Sequence, residues 1–392
     1  MKCFLSILLF FTLHLQAKSI DELVDTALKQ NLSLEIISHR IMASKEKTSS
    51  AGLFSNPELS YTQNTLDNNQ AMSRKTLAFK QKLPYFGKRY SLEKISLAHE
   101  NVLSMQLEKA KLVLVRKIKQ KAYETWALER LYTIICDYEA LTRHNIELFE
   151  SYTSTANNQH MGIMSAELTL SELRIQKSSL NAKINAAYAE LSYLSAVEVH
   201  SLEINPELSE MPGLMSLKKG LENNPDLSLN EEIVQREGVK LEHAALNNYP
   251  DLSLKSAYSK RENFDDYWSF TVGMSLPIYG KEDYQEEEAR KLLLASQSQK
   301  QDIALQNEAQ LETVYSQMKS AYETYHIIHD QALPQIEHMF VLMSASISTG
   351  ADLFKYIDIL VQKLKLEQKS ILAIAQYKSA QAKISELSGE IK

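Results

Sequence analysis

Apolar and polar positions follow two different periods along this chain. Over long stretches apolar residues recur every three or four positions, as in Ile357, Leu360, Leu364, Ile371 and Ile374. That spacing places them on one face of an α-helix. From Leu92 to Val115 they occupy more than one face, as expected of a helix with neighbours on both sides. In two short regions the period drops to two. Leu77, Phe79 and Leu83 are set against Lys80 and Lys82; Trp268, Phe270, Val272, Met274 and Leu276 are set against Ser269, Thr271 and Ser275. Period two is strand geometry. Each stretch has a partner across a polar loop: Pro57–Leu66 with Ser73–Leu83 across Asp67–Gln70, and Pro250–Ser259 with Tyr267–Leu276 across Arg261–Asn263. The pattern predicts two β-hairpins, with strands near the roughly 9–11 residues of a tilted membrane-spanning strand. Tyr61, Tyr85, Phe86, Tyr258, Tyr267, Trp268 and Tyr279 flank them, where interfacial aromatics would sit. A small soluble sheet capping a helical stalk would show the same alternation.

Composition sharpens the helical half of this picture. The 392 residues include only 10 Gly and 8 Pro, against typical usage of about 7% and 5%. Neither residue occurs within 88–161, 163–205, 281–333 or 351–388. These stretches are rich in Ala, Leu, Lys, Glu and Gln, so they predict helices far longer than those of ordinary globular domains. A long two-stranded coiled coil is the alternative to a bundle.

The breakers also expose a duplication. An offset of 193 residues pairs Leu28 with Leu221, Asn31 with Asn224, Ala51 with Ala244, Pro57 with Pro250 and Leu59 with Leu252. The same offset pairs Leu83 with Leu276, Pro84 with Pro277, Gly87 with Gly280 and Lys88 with Lys281. Beyond them the register drifts: Ala122–Thr125 recurs as Ala321–Thr324, and Gly162 answers Gly350. Two repeats follow, 18–205 and 206–392. Each is ordered as helix, hairpin (57–83; 250–276), long helix (88–161; 281–349), turn, long helix (163–200; 351–388).

Residues 1–17 read as a cleavable signal peptide, with Lys2, an apolar run Phe4–Leu13 and a small exit residue, Ala17. The chain is therefore expected to be exported, and any return to a membrane would be through β-strands. Four strands cannot close a barrel with a lumen, and open edges are not tolerated in lipid, so several copies are expected to share one barrel. Three copies would supply twelve strands and a matching tube of helices.

Little suggests chemistry. The 43 Lys+Arg against 49 Asp+Glu give a net charge of −6, with no basic domain for nucleic acid. Cys3 and Cys136 exclude a disulfide framework and a four-Cys zinc site. No nucleophile elbow, zinc-protease helix or Walker loop occurs, so neither an enzyme nor a cofactor is expected. His326, His329 and His338 lack a completing ligand in the sequence, Met161 and Met164 flank Gly162, and Cys136 reads as a small buried hydrophobe. No metal site is expected.

The segment Gln81-Lys82-Leu83-Pro84-Tyr85-Phe86-Gly87-Lys88-Arg89 resembles the strand-to-helix junction of TolC-type outer membrane efflux proteins, especially the CusC/CzcC-like branch. Leu276-Pro277-Ile278-Tyr279-Gly280-Lys281 resembles its second-repeat counterpart. Asn56–Leu59 and Tyr249–Leu252 resemble the family's strand starts, and Ala27–Asn31 and Leu221–Pro225 its repeat openings. The resemblance spans essentially the whole chain after the signal segment. It implies a mainly α fold with a small β part: long helical hairpins forming a periplasmic α-barrel, and four membrane strands per chain in a shared trimeric twelve-stranded β-barrel. It further implies an outer membrane exit duct, passive for small substrates (heavy-metal cations or drugs). Its partners would be a periplasmic adaptor (membrane fusion) protein, an inner-membrane RND or ABC transporter, and outer membrane lipid. A duct for type I protein secretion is the alternative within the channel class; a periplasmic coiled-coil adaptor is the alternative outside it. The family's tip turns map onto Gly162 and Gly350, and its acidic entrance onto Asp352 and Asp358. Two departures stand out: no Cys follows the signal segment to carry a lipid, and the stretch around 196–220 between the repeats is expected to be reduced.

Overall fold

A computed structural model of the chain describes residues 18–64, 73–152, 157–346 and 353–391. The signal segment lies outside the described residues. In order, the elements are α1 (Ile20–Gln30), α2 (Leu32–Ala51), β1 (Glu58–Gln63), β2 (Arg74–Leu83), α3 (Lys88–Tyr152) and α4 (Asn157–Ser195). The second half continues with α5 (Leu214–Gly220), α6 (Pro225–Leu246), β3 (Leu252–Arg261), β4 (Tyr267–Met274), α7 (Lys281–Ile327), α8 (Leu333–Ser346) and α9 (Leu353–Leu387). A 3₁₀ turn, Leu221–Asn223, precedes α6, and a π-helical segment, Ile328–Ala332, separates α7 from α8. The fold class is as expected: long helices with one small antiparallel sheet.

The chain divides into two compact units. One comprises residues up to Leu34, Ala110–Asn224 and the chain from Asn307 onward; the other comprises Glu35–Lys109 and Pro225–Gln306.

In the first unit, α1 begins at a capping box in which Ser19 Oγ accepts from the Glu22 N–H and the Glu22 carboxylate accepts from the Ser19 N–H. Leu23, Val24 and Ala27 form its buried stripe. Two apolar clusters follow. In one, Ile135, Tyr138, Ile146 and Phe149 of α3 pack with Ala166 and Leu173 of α4 and with Leu353, Tyr356, Ile357, Leu360 and Leu364 of α9. In the other, Leu311, Val314, Met318 and Ala321 of α7 meet Tyr377, Ala380, Ile384 and Leu387 of α9, covered by Leu208, Met211, Leu214 and Leu217 from the segment joining the repeats. Of the sequence seam on α9, Ile357, Leu360 and Leu364 are buried, while Ile371 and Ile374 are partly covered.

The duplication is visible as hydrogen bonds. Asn31 Nδ2 donates to the Leu194 carbonyl at 2.8 Å, and its repeat mate Asn224 Nδ2 donates to the Leu387 carbonyl at 2.9 Å, both buried. Ser195 Oγ bonds the Leu191 carbonyl and Ser388 Oγ the Ile384 carbonyl, again one repeat apart. Each closes the C-terminal turn of a long helix whose last carbonyls have no helical partner.

The helix boundaries differ from the sequence reading at two places. Gly162 is inside α4, not between two helices. A Cβ on it would lie 3.0 Å from Leu353 Cβ, so this glycine serves a close approach of α4 and α9. The predicted helix over 281–349 is broken by the π segment, where the Leu333 N–H reaches back to the Ile328 carbonyl just before Pro334. Proline lacks the N–H that would continue the ladder, and a π turn is one way to absorb that.

Candidate channel-wall sheet and strand-to-helix junctions

The second unit holds all four strands in the order β1-β2-β3-β4, every neighbour antiparallel. The register decides which side chains share a face. Leu59 lies opposite Phe79, Tyr61 opposite Leu77, Leu77 opposite Tyr258, Leu252 opposite Met274, Leu254 opposite Val272, and Tyr258 opposite Trp268. One face therefore carries a broad apolar band, interrupted by Gln81 and Ser256 and giving way to Gln63, Lys75 and Lys260 at the loop end, and the band is bare: Leu59 is 71% exposed, Phe270 80% and Val272 70%. Such a surface in water costs about 25 cal/mol per Å² and marks a face meant to be covered by protein or lipid.

The opposite face carries Glu58, Ser60 and Thr62 of β1 and Arg74, Thr76, Ala78, Lys80 and Lys82 of β2. From β3 and β4 it carries Ser253, Lys255, Ala257, Ser259 and Arg261, then Tyr267, Ser269, Thr271 and Gly273. Small residues fill its middle, with Ala78, Ala257 and Ser259 buried. The Thr76 and Ser259 hydroxyls share a hydrogen bond of 3.0 Å. Glu58 lies 3.5 Å from Lys80 Nζ and 3.8 Å from Lys82 Nζ. β1 and β4 are the outer strands, and neither has a second ladder partner among the described residues.

Each hairpin leads into a long helix through a left-handed glycine. Pro84 directly follows β2, and Gly87 has φ +93°; Pro277 follows β4, and Gly280 has φ +71°. The Gly87 carbonyl accepts from the Ser91 N–H at 2.8 Å, and the Gly280 carbonyl from the Tyr284 N–H at 3.4 Å, opening α3 and α7. Positive φ is cheap only for glycine, so both breakers are required by the turn.

The two junction lysines then part company. Lys88 is buried; its Nζ donates to the Tyr249 carbonyl and to Asp251 Oδ1, both at 2.8 Å. The Tyr85 N–H donates to the same carboxylate oxygen at 2.8 Å, and the Tyr85 ring stacks on Tyr249 at 4.5 Å. Burial pushes the Asp251 carboxyl up, but the Lys88 ammonium and the Tyr85 N–H outweigh it and hold the group below the usual carboxylate range. Nearby, His243 Nδ1 is 2.6 Å from Ser91 Oγ, and burial together with the Lys88 charge keeps its imidazole below the ordinary histidine value. Lys281 is exposed, with no ion pair among the described residues. Sequence reasoning selected Lys88 but missed Asp251 and Tyr249, although the strand-start motif Tyr249–Leu252 contains both.

The structure does not bring the remaining predicted residues to this unit. Gly162 packs against Leu353 in the first unit, and Asp358 is an exposed residue of α9 that accepts from Gln362 Nε2 at 2.8 Å. Gly350 and Asp352 lie outside the described residues. His326 and His329 both reach the Asp330 carboxylate, at 3.1 and 3.2 Å, beside the π segment. Among the described residues no group of three or more His, Cys, Asp or Glu is arranged to hold a metal ion, and no helix is long and apolar enough to cross a membrane.

No protein-family model and no curated protein matches the chain. Solved structures do. The outer membrane protein VceC from Vibrio cholerae superposes with a TM-score of 0.79 at 14% identity, over 95% of this chain and 96% of that one. The open state of the Neisseria gonorrhoeae MtrE outer membrane channel gives 0.80 at 13% identity, over 95% and 89%. CusC, described for its transmembrane channel formation, gives 0.75 at 14% identity, over 95% and 92%. At these identities the likeness is one of architecture, and this chain has the TolC-type fold of outer membrane channel proteins.

Proposed function

We propose that this chain is the outer membrane exit duct of a tripartite efflux system. It passively conducts small substrates that an inner-membrane RND or ABC pump delivers through a periplasmic adaptor. The observation that carries the reading is the sheet: one face bears a broad, bare apolar band, the other is polar, and both edges are open. That combination suits a wall between lipid and water that is completed by further copies. The TolC-type fold supports it, and the signal-like first segment supports export. The CusC-like branch rests on the junction motif alone.

The internal repeat supports a closed ring of copies, joined as follows in our reading. Moving the β2·β3 pairing by one repeat places β4 of one chain beside β1 of the next, closing twelve strands in a trimer. The same shift carries Lys88 onto Lys281 and Asp251 onto Glu58. The Lys88 contact made within one chain is then remade between chains, from Lys281 to Glu58 of the partner subunit. At the periplasmic end, copies of Asp352 and Asp358 form the acidic constriction.

Fractionation tests the core of this reading. The protein should stay with outer membranes until detergent is added, and run as a trimer on unheated gels. Release by mild washing would favour the coiled-coil adaptor instead. Lys281→Glu should weaken the trimer. In planar bilayers Asp352→Ala with Asp358→Ala should raise single-channel conductance; unchanged conductance removes the gate assignment.

A further inference from the structure

The polar face of the sheet has an unusual charge pattern. In the β2·β3 register Lys80 lies directly opposite Lys255, and Arg74 directly opposite Arg261, all four on that face. Lys82 follows on the same face, beside Ser253. Like charges directly opposite one another destabilise a sheet. The strands of this face hold five cations and one carboxylate, Glu58, which Lys80 and Lys82 already share. Lys255 is exposed and has no ion pair among the described residues. The two guanidiniums lean on neutral oxygens: Arg74 Nη1 donates to the Tyr267 hydroxyl at 3.0 Å, and Arg261 Nε to the Asp265 carbonyl at 2.8 Å. The chain as a whole is acidic, at −6. Five of the seven strand cations thus lie on this face against the balance of the protein, in an arrangement that opposes sheet stability; the other two, Lys75 and Lys260, face each other at the loop end of the apolar face. A local rule broken without a structural gain points to function.

We propose that this face is an anion-attracting wall, and that the solutes the duct conducts are anionic organic molecules, not metal cations. The inference rests on the exit-duct reading, in which the polar face lines water and the apolar face meets lipid. A water-filled channel with low-dielectric walls focuses the field of its charged lining, and rings of Lys or Arg favour anions. Lys80, Lys82 and Lys255 form the core of the wall. Arg74 and Arg261 extend it to the loop end of the hairpins. Carboxylate, sulfate or phosphate groups on a passing solute would exchange water for these cations without any fixed binding pocket, which suits conduction better than retention.

The test uses the full-length protein reconstituted in planar bilayers under a roughly tenfold KCl gradient, with the dilute side at low ionic strength so that screening does not hide the wall. Because an acidic constriction at Asp352 and Asp358 would itself favour cations, the recordings use the Asp352→Ala, Asp358→Ala channel, whose reversal potential should have the sign of Cl⁻ preference. Lys80→Gln with Lys82→Gln and Lys255→Gln should move it toward K⁺, with conductance within about twofold, since the side chains stay polar and similar in size. Lys80→Glu with Lys255→Glu should move it further. In liposomes, a carboxylated dye should leave several-fold faster than a cationic dye of similar size, and the Gln variants should narrow that gap. A cation-selective Asp352→Ala, Asp358→Ala channel, or Gln variants of it with an unmoved reversal potential, would overturn the assignment. Absence of any conductance from inserted protein would instead overturn the duct reading, and the wall with it.

Discussion

Replacing Lys88 by Met would remove a buried ammonium that ties the start of α3 to the strand start before β3. The native group makes two charge-assisted bonds of 2.8 Å, to the Tyr249 carbonyl and to Asp251 Oδ1. Hydrogen bonds to charged groups contribute about 1.5–3 kcal/mol each in favourable cases. Asp251 discounts this, because its side chain is 43% exposed, against 9% for Lys88, and it keeps the Tyr85 N–H. We therefore expect about 2 kcal/mol for Lys88→Met. Asp251→Asn should cost more, about 3 kcal/mol, since it leaves the cation in a buried position with neutral acceptors only. Amide hydrogen exchange of the segment 84–91 reads the local opening free energy directly. At 1.4 kcal/mol per factor of ten, exchange should accelerate roughly thirtyfold in the Met variant and more in the Asn variant. Lys281→Met, measured on monomeric protein, should change exchange at 277–284 less than about twofold, as for an exposed side chain. The sign with pH follows from Asp251. Its folded value is depressed, so its contribution is complete above the ordinary carboxylate value of about 3.9 and is lost as pH falls through the lowered one. Accelerations below about twofold in both variants, or a reversed order, would refute the clamp.

Three further expectations concern single contacts. Asn31→Ala and Asn224→Ala each strip a buried bond from the last turn of a long helix, so both should destabilise by about 1–3 kcal/mol in denaturant titrations, and by similar amounts. Gly162→Ala should not return the roughly 1 kcal/mol that Ala normally gains over Gly in a helix, because the new methyl meets Leu353 Cβ at 3.0 Å; a thermal midpoint above wild type would contradict that contact. His243 has a depressed folded value, so the stability it contributes is present above about pH 6.5 and declines as pH falls through the lowered value. Protection factors at 88–95, which remove the intrinsic pH dependence of amide exchange, should fall between neutral pH and pH 5, and His243→Gln should flatten that dependence.

The strands were legible because period two survives on both faces and because two copies vote for each position. The junction glycines were legible for the same reason: Gly87 and Gly280 each follow an X-Pro step at a fixed distance, and positive φ leaves few other residues to choose. Gly162 misled because a glycine that admits a neighbouring helix looks, in sequence, like one that ends its own. The Lys88–Asp251 bond joins residues far apart in the chain, and only the antiparallel pairing of β2 with β3 brings them together. The cationic face was hidden differently. Each lysine sits unremarkably on its own strand, and only the register sets Lys80 against Lys255. The roles proposed for Asp352 and Asp358 rest on resemblance, not on any local pattern.

The π segment has a consequence for how the second repeat tolerates length change. Along α7 and at the first residue of the π segment, the buried positions Leu311, Val314, Met318, Ala321 and Ile328 keep three-, four- and seven-residue steps, yet the next, Ile336, comes after eight. Phe340 and Met343 then resume the short steps against the α9 cluster. One residue is surplus, and the wide turn stores it, so the apolar stripe passes through without rotating. Seen this way the segment is a phase corrector for an inserted residue. Deleting exposed Gln331 should fuse α7 and α8 into one regular helix with the stripe intact, whereas deleting one residue within 305–320 should turn everything beyond it by about 100° and unseat both clusters.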